Sequence, residues 1–418
     1  MKGKHHERYS VESLGNGEQD SKGKIFVSGM GMVDLSSLLI VGETVDTVRQ
    51  LYKGKTKEYW VNRIEEALEN RVILENNSPA ALPWTVSRMG KQSGYQYKLQ
   101  NNEEGAVILY KSFYKEDDKE GAHLKIELSP KFIYSRGKKH IQQWLNLIAS
   151  TLLESPKASG VAVHLALDIQ GWVPSENLSE LFVTRSRSVI DYRAIRESSI
   201  EDLSRVSVSY GNGESWLFGK SNSLQTAIYR KDIEIKVSDK EDHFHRVWDV
   251  HSMGVYDKEK PVWRVEARFH HQVVRELGLS QNEKFEDFLS VSEYLTDLWK
   301  YALKNNRLDM SPTYIDQAWQ LFMEDPEFYH PSVGFFFKRA KKQSAGNTVK
   351  NYGQIIGNLI SVCARHHMKA NQVYKQIKRL DVWDDLLSSY KSVGKSESDI
   401  IQMIEKGLCL RRLVGKAA

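Results

Sequence analysis

The sequence predicts an α+β protein with a mainly antiparallel sheet, followed by a basic, all-helical C-terminal region. Segments of alternating apolar and polar residues, typical of half-buried strands, recur as far as residue 280, and helical periodicity dominates from there to the end. The chain is also long enough for a sizeable core and two or three domains, since 40% of its 418 residues are apolar.

The elements are expected in the following order. Residues 1–25 are polar and predict a disordered tail without the apolar core of a signal peptide. From Val45 to Arg71 the apolar residues share one helical face, which predicts a helix there. Further helices are expected at Lys139–Leu153 and from about Ser280 onward. The expected strands are 33–41, 94–100, 105–113, 123–128, 160–170, 206–210, 215–219, 226–235 and 262–270.

Several classes of protein are excluded by what the sequence lacks. It has no run of about 18 apolar residues, so no membrane span is predicted. Cys363 and Cys409 are the only cysteines, too few for a disulfide scaffold or a cysteine-rich zinc site. The motifs of P-loop nucleotide hydrolases, zinc proteases and serine hydrolases do not occur. A cytoplasmic protein without a membrane partner is therefore expected.

The predicted domains are the tail at 1–25, an α+β domain at 26–280 and a helical region at 281–418. Charge is distributed unevenly along the chain. Residues 331–418 carry 16 Lys or Arg against 6 Asp or Glu, whereas the rest of the chain is net acidic. A basic end on an acidic body predicts an anionic partner, and DNA is the candidate.

Polar residues interrupt the apolar strand Val161–Ile169, where burying them is costly unless they serve a purpose. His164, Ala166 and Asp168 share one face of this strand because side chains alternate. His164 and Asp168 are separated by about 13 Å along a straight strand, too far to bind one ion. Asp168 is the better single candidate for a functional carboxylate, and the alternative is a solvent-facing strand surface.

A second strand, Val262–His270, places Arg264, Glu266 and Arg268 on one face. The two guanidinium groups keep the carboxylate between them ionised. A phosphodiester site needs such a set, with a metal-binding carboxylate and guanidinium groups for the phosphate oxygens. A surface ladder of alternating charges explains the pattern equally well.

A third segment, Gly213–Glu234, lies between these strands in the sequence. Lys220 falls in a basic, hydroxyl-bearing turn, and Tyr229 and Lys231 are expected on the same face of a strand. A neighbouring lysine favours the phenolate, and tyrosine serves as a nucleophile in covalent catalysis. Because the chain has 19 tyrosines, a purely structural Tyr-x-Lys pair is the alternative.

The order of these segments resembles that in rolling-circle replication initiators of the Rep-trans type, a family that also includes relaxases of some conjugative elements. The resemblance covers about residues 30–280 and implies an HUH-like nuclease core. It is carried by the apolar strand 33–41, the hairpin 94–113, the strand AHLKIELS at 122–129, the strand AVHLALD at 162–168, Gly219 and Ser223 before Tyr229 and Lys231, and the run Trp263-Arg264-Val265-Glu266.

The resemblance implies a tyrosine nuclease that cuts one DNA strand at an origin, keeps the 5′ phosphate on a tyrosine and later rejoins the ends. Matched by position, Tyr229 would be the nucleophile. Asp168 and Glu266 would hold Mg²⁺ or Mn²⁺, and Lys231 and Arg264 would neutralise the phosphate charge.

The chain departs from the family pattern at two places. Ala162 and His164 stand where the family has an arginine and the first aspartate, although a histidine can still ligate a metal. Some family members place the tyrosine directly before the strand glutamate, where this chain has Val265. If that placement were general, Tyr256 or Tyr192 would have to serve as the nucleophile.

Basic residues predict where DNA binds, in the turn, on the last strand and in the C-terminal region. They are Lys220, Arg268, Lys338, Arg339, Lys341, Lys342, Lys375, Lys378 and Arg379. The alternatives for the C-terminal region are a solvated basic face, a dimer contact and a helicase contact.

Three functions follow from these observations. The first is an initiator of rolling-circle replication that binds origin duplex and single strand, with a host helicase and a second copy as further partners. The second is a conjugative relaxase with the same chemistry. The third is a non-catalytic origin-binding protein on a degenerate nuclease core, which Ala162, His164 and Val265 would favour.

Overall fold

The computed structural model divides the chain into two compact units, Met1–Ala340 and Lys341–Ala418. It describes residues 25–414 except for 29–30, 36, 76–77, 117–118, 176, 185–188, 192–214, 221, 239, 312–313, 336, 338–347, 382 and 392–393. The predicted tail up to residue 24, the strand predicted at 206–210, and Tyr192 lie outside the described residues.

The strands and helices are numbered here in chain order. The strands are β1 Ile25–Ser28, β2 Gly31–Asp34, β3 Leu39–Thr56, β4 Thr85–Arg88, β5 Tyr95–Asn101, β6 Ala106–Ser112, β7 Gly121–Leu128, β8 Leu153–Gln170, β9 Phe182–Thr184, β10 Val189–Asp191, β11 Ser215–Phe218, β12 Leu224–Arg230, β13 Trp263–Phe269, β14 Asn306–Ser311 and β15 Tyr314–Ile315. The helices are α1 Glu58–Asn70, α2 Pro130–Tyr134, α3 Lys138–Leu152, α4 Leu178–Leu181, α5 Lys231–Val237, α6 Glu241–His251, α7 His271–Leu279, α8 Phe288–Ser292, α9 Leu295–Asn305, α10 Gln317–Glu324, α11 Thr348–Arg365, α12 Ala370–Lys378, α13 Trp383–Lys391 and α14 Glu397–Val414.

One large sheet organises the first unit. Over the described residues it has ten strands, in the spatial order β10-β11-β12-β13-β8-β3-β7-β6-β5-β4. Every neighbouring pair in it is antiparallel. The prediction of a mainly antiparallel α+β protein with a helical C-terminal region is therefore confirmed.

The two central strands, β3 and β8, are each 18 residues long, and β8 is buried on both faces from Gly160 to Gln170. One face of β8 carries Val163, Leu165 and Leu167, which join the main core. Helix α3 covers that core with an apolar stripe at helical spacing, including Ile141 and Leu145. Burial of each such side chain contributes about 1.5–3 kcal/mol relative to leaving it exposed. The opposite face of β8 is the polar one, and burial on both faces makes the solvent-facing alternative wrong.

Several elements differ from the sequence prediction. The strand expected at 33–41 is divided between β2 and β3, and strands β14 and β15 lie in the region from Ser280 that was expected to be helical. The segment Val45–Thr56, expected to begin a helix, is the second part of strand β3, and only Glu58–Asn70 is helical. The strand expected at 226–235 ends at Arg230, and Lys231 begins helix α5. Tyr229 and Lys231 therefore do not share a strand face, since one closes a strand and the other opens a helix.

The first unit extends beyond the domain boundary predicted at 280. Helices α9 and α10 pack into the main core through Trp299 and Trp319. Trp299 Nε1 donates to the Phe322 carbonyl at 2.7 Å, and Asn306 Nδ2 donates to Thr226 Oγ1 on the sheet at 2.9 Å. These contacts tie the segment to the α+β core, and the division falls after Ala340 instead.

The second unit has an apolar core of its own. Helices α11 to α14 surround it with twelve buried residues that include Ile360, Val373, Leu386 and Ile404. Within the described part of the chain, every helix is too short or too polar to span a membrane.

Candidate active site

Polar side chains gather on one face of the sheet at its centre. Strands β8 and β13 are paired so that His164 lies opposite Arg268. Two residues further along each strand, Glu266 lies opposite Ala166. Tyr229, on the neighbouring strand β12, points to the same region and donates to Glu266. The two strands that the sequence singled out are thus neighbours, which no local pattern predicts.

A β-bulge brings a further carboxylate to this place. Val45 pairs with Leu165 and Thr47 with His164, so Asp46 is an extra residue in strand β3. A bulge re-aims the side chain of the extra residue and is frequent next to active sites. Here it places Asp46 beside the polar face of β8 and β13.

Asp46, His164 and Glu266 together can hold a metal ion. Each offers one ligand atom, and these three atoms all lie within 4.8 Å of one another. Glu266 and His164 are buried and Asp46 is partly buried. The sequence predicted two members of this group, and the third replaces Asp168.

Glu266 holds the centre of the hydrogen-bond network. Its two oxygens accept from Arg268 Nε and Nη2, both at 2.8 Å. Its Oε1 lies 3.1 Å from His164 Nδ1, and its Oε2 accepts from the Tyr229 hydroxyl at 3.1 Å. The predicted nucleophile and two predicted metal ligands therefore share one hydrogen-bonded cluster.

Charges around the cluster keep both carboxylates ionised. Burial alone would raise the pKa of Asp46 and of Glu266, but Arg264 lowers the first and Arg268 lowers the second, so both lie below their usual values. Burial lowers the pKa of His164 despite the opposing effect of Glu266, which favours the neutral imidazole. Anionic carboxylates and a neutral imidazole are the forms that bind metal ions.

Asp168 does not belong to this group. It accepts from Arg264 Nε at 2.6 Å and Nη2 at 2.7 Å, and from Trp248 Nε1 at 2.8 Å. Arg264 in turn donates from Nη1 to Asp46 at 2.5 Å. Asp168 thus holds the fully buried Arg264, and Arg264 in turn orients Asp46. In this arrangement Asp46, and not Asp168, is the carboxylate beside His164 and Glu266.

Lys231 reaches the site from the first turn of α5. Its ammonium pairs with Glu234 and lies 4.3 Å from the centre of the Phe244 ring. The same nitrogen is 5.9 Å from the centre of the Tyr229 ring. Burial and the charge of Arg264 lower the pKa of Lys231, although Glu234 opposes them. A lysine of this kind releases its proton more readily than an exposed one.

A cavity of about 240 Å³ opens on the cluster. Four cationic side chains line it: Arg49, Lys231, Lys240 and Arg268. Asp46, Thr47, Ser129, Pro130, His164, Tyr229, Glu234 and Glu266 complete the lining. A cavity lined by both carboxylates and cations matches the needs of a phosphate group near a metal ion.

The donor set fits a divalent cation. Asp46 accepts only from Arg264 and, at 3.1 Å, from Thr47 in the described contacts, so each of its oxygens keeps a lone pair. Glu266 already uses four acceptor positions, and the contact with His164 is the one that a shared cation would replace. Carboxylates favour Mg²⁺ and Mn²⁺, whereas imidazole favours transition metals, so Mn²⁺ satisfies both kinds of donor.

The other predicted DNA-binding residues lie elsewhere or cannot be placed. Lys220 is exposed and does not line the cavity. Lys338, Arg339, Lys341 and Lys342 lie outside the described residues. Lys375 and Arg379 are exposed in the second unit, and Lys378 is paired with Glu397 at 3.3 Å.

Of the two other tyrosines considered as nucleophile, Tyr256 has its hydroxyl hydrogen-bonded to a histidine outside the cluster. Its hydroxyl lies 2.7 Å from His245 Nδ1.

Sequence reasoning missed Asp46 and Arg49. Arg49 Nη1 is 3.4 Å from His164 Nε2 at the cavity wall. The β-branched residues of β3 were the available signal for a strand, and with it for the placement of both side chains.

The chain is similar to an uncharacterized phage protein. No protein-family model matches the chain. The sequence is 30% identical over 428 residues to the uncharacterized protein ORF430 of Pseudomonas phage Pf1, and this similarity covers 98% of this chain and 97% of the phage protein. The chain therefore belongs to the same protein family as ORF430 of Pseudomonas phage Pf1.

Proposed function

We propose that this protein is a metal-dependent DNA nickase and strand transferase that starts rolling-circle replication of a mobile element through a 5′-phosphotyrosine intermediate. The observation that carries the proposal is the Tyr229 hydroxyl, 3.1 Å from a carboxylate that belongs to a potential metal group. The resemblance of the segment order to Rep-trans initiators supports it, and so does the relative in a phage.

Tyr229 would attack the scissile phosphorus. The bond from its phenolic oxygen to phosphorus forms as the bond from phosphorus to the 3′ oxygen breaks. Glu266 orients this hydroxyl through the hydrogen bond that it accepts, and the phenolic proton is released to water in the open cavity. Lys231, whose pKa is lowered, supplies a proton to the departing 3′ oxygen. Rejoining is the reverse transfer, so no further reactant is needed.

The cationic side chains would bind the phosphodiester. Arg49, Lys240 and Arg268 line the cavity beside Tyr229 and can contact the non-bridging oxygens. They stabilise the additional negative charge of the transition state. A Mg²⁺ or Mn²⁺ ion held by Asp46, His164 and Glu266 would supply Lewis-acid polarisation of the phosphate.

A covalent-adduct assay tests the proposal. The full chain is incubated with a random single-stranded DNA pool and Mn²⁺, and DNA-linked peptides are mapped by mass spectrometry. We expect an adduct on the peptide that contains Tyr229, and its loss in Tyr229→Phe. Tyr256→Phe is the matched control, because it removes the same hydroxyl from a neighbouring tyrosine outside the cavity lining.

The outcomes separate the candidate functions. An adduct that survives Tyr229→Phe would keep the chemistry and refute the assigned nucleophile. Binding of supercoiled DNA without nicking, in the presence of Mn²⁺ and the correct origin, would favour the non-catalytic origin-binding protein. A relaxase performs the same chemistry on a transfer origin, so that alternative is tested by the identity of the nicked sequence. The host helicase and the second copy remain proposed partners.

A further inference from the structure

The second unit contains two helices joined by a tight, well-capped turn. Helix α11 ends at Arg365, four residues follow, and α12 begins at Ala370. His367 adopts a left-handed backbone with φ of 53°, its N–H donates to the Ala364 carbonyl, and the N–H of Met368 donates to the Cys363 carbonyl. This is a Schellman motif, which ends a helix and reverses the chain direction sharply.

The start of α12 is fixed in the same way. The backbone N–H of Lys369 donates to Gln372 Oε1 at 2.9 Å, which forms one half of a capping box. Val373 and Ile377 bury the inner side of α12 in the same core as Cys363 and Ala364. Two helices joined across a capped four-residue turn have the kind of connection that helix-turn-helix motifs use, and in those motifs the second helix enters the DNA major groove.

The outer side of α12 carries the side chains that such a helix uses. Asn371, Lys375 and Arg379 follow one another at four-residue spacing, lie on one face and are exposed. Gln376 is exposed beside them. An asparagine or glutamine recognises adenine through two hydrogen bonds, and arginine or lysine recognises guanine. Lys378 contributes less, because it pairs with Glu397.

The charge of this part of the chain fits DNA more closely than the net charge suggests. Residues 331–380 contain ten Lys or Arg and no Asp or Glu. All six acidic residues of the C-terminal region follow α12, at positions 381–405. Of these cations, those whose side chains the structure describes lie at the capped turn and along α12: Arg365, Lys369, Lys375, Lys378 and Arg379.

We infer that α12 is a sequence-reading helix for duplex DNA, and that the second unit selects the target on which the first unit acts. The inference rests on the proposed function, since a nickase needs a means of choosing its origin. The occupant is the major groove of B-form DNA, with Asn371 and Gln376 on base edges and Lys375 and Arg379 on bases or phosphates.

The test selects binding sites from a randomised duplex DNA library with the full chain in EDTA, so that no metal-dependent cutting occurs. The variant N371A/K375A removes one amide and one ammonium from the reading face. The control Q402A/K406A removes the same two groups, at the same spacing, from the exposed side of α14. Circular dichroism and thermal unfolding confirm that both variants are folded.

We expect the wild-type chain and the control to enrich a common base sequence. N371A/K375A should bind that sequence roughly 5- to 150-fold more weakly. If Lys375 contacts a phosphate, the slope of log K against log salt should also fall by about 0.9. Enrichment without any difference between the two variants would overturn the inference. So would binding without sequence preference, or equal competition by duplex RNA.

The same variants distinguish this inference from the proposed function. N371A/K375A should still form the Tyr229 adduct with a single-stranded pool, because the reaction needs only the first unit's site. Sequence enrichment without any adduct would refute the nickase and leave the reading helix standing. An adduct without sequence enrichment would support the nickase and refute the reading helix.

Discussion

Replacing Asp168 by asparagine tests whether this residue is a structural partner of Arg264 or a metal ligand. Asp168 is 1% exposed and accepts two bonds from Arg264 and one from Trp248. Asp168→Asn keeps the shape and removes the charge, which leaves a fully buried guanidinium with Asp46 as its only remaining carboxylate in the described contacts. Breaking one side of a buried ion pair costs about 3–5 kcal/mol.

The assay is urea unfolding followed by tryptophan fluorescence, with Mn²⁺ affinity measured on the same samples. Glu66→Gln is the control, because it removes a carboxylate from an exposed pair with Arg63 at 2.9 Å and should cost no more than about 1 kcal/mol. In an Arg264→Met background, Asp168→Asn should cost much less than in the wild type, since the partner charge is already gone.

The opposite pattern would refute this assignment. If Asp168→Asn leaves the free energy of unfolding within about 1 kcal/mol of the wild type and abolishes Mn²⁺ binding, then Asp168 is a ligand. In that case Asp46 would have no special role, and Asp46→Asn would retain metal affinity. The structure predicts the reverse, with Asp46→Asn weakening Mn²⁺ binding directly.

Three further predictions concern separate features. Burial lowers the pKa of His271 from 6.5 to about 4, so the unfolded chain binds more protons than the folded chain between these pH values. The free energy of unfolding should therefore fall by about 1–2 kcal/mol as the pH drops from 6.5 to 4. Urea unfolding at the two pH values measures this difference, which should be smaller in His271→Gln. Gly171→Ala should destabilise the fold by more than about 3 kcal/mol, because Gly171 has a φ of +76° and an added Cβ would lie 2.1 Å from a backbone oxygen. The control is Gly254→Ala, at a φ of +82° with open space around it, which should cost only about 1 kcal/mol. Thermal unfolding compares the two variants. Arg49→Gln should weaken single-stranded DNA binding and lower its salt slope by about 0.7 in fluorescence anisotropy, while unchanged binding would exclude a phosphate contact.

The sequence was sufficient to find the strands that carry most of the site. Alternation in β8 and β13 placed His164 and Glu266 on polar faces, and the structure brings those faces together. It could not predict which strands are neighbours, because pairing between segments a hundred residues apart depends on the whole core. For the same reason the pattern could not show that Asp168 would find its partner in Arg264.

Asp46 was missed for a specific physical reason. The buried residues of β3 are Val41, Gly42, Val45, Val48, Gln50 and Tyr52 and, beyond them, Gly54. The bulge at Asp46 adds one residue between the inward-facing positions on either side of it. The buried residues Val41, Val45 and Val48 are therefore four and then three residues apart, as on one face of a helix. Strict alternation resumes only after Val48. The apolar spacing of this bulged strand therefore matches that of a helix, which is why the sequence predicted a helix from Val45.

The bulge also has a consequence for how this family can change. Deletion of Asp46 would bring Val45 and Thr47 into a regular ladder with Leu165 and His164, and neither half of β3 would have to turn its apolar side outward. The sheet would survive the loss of this carboxylate from the candidate metal group. A descendant one residue shorter at this position would keep the fold and the second unit, and on the proposed function it would bind DNA without cutting it.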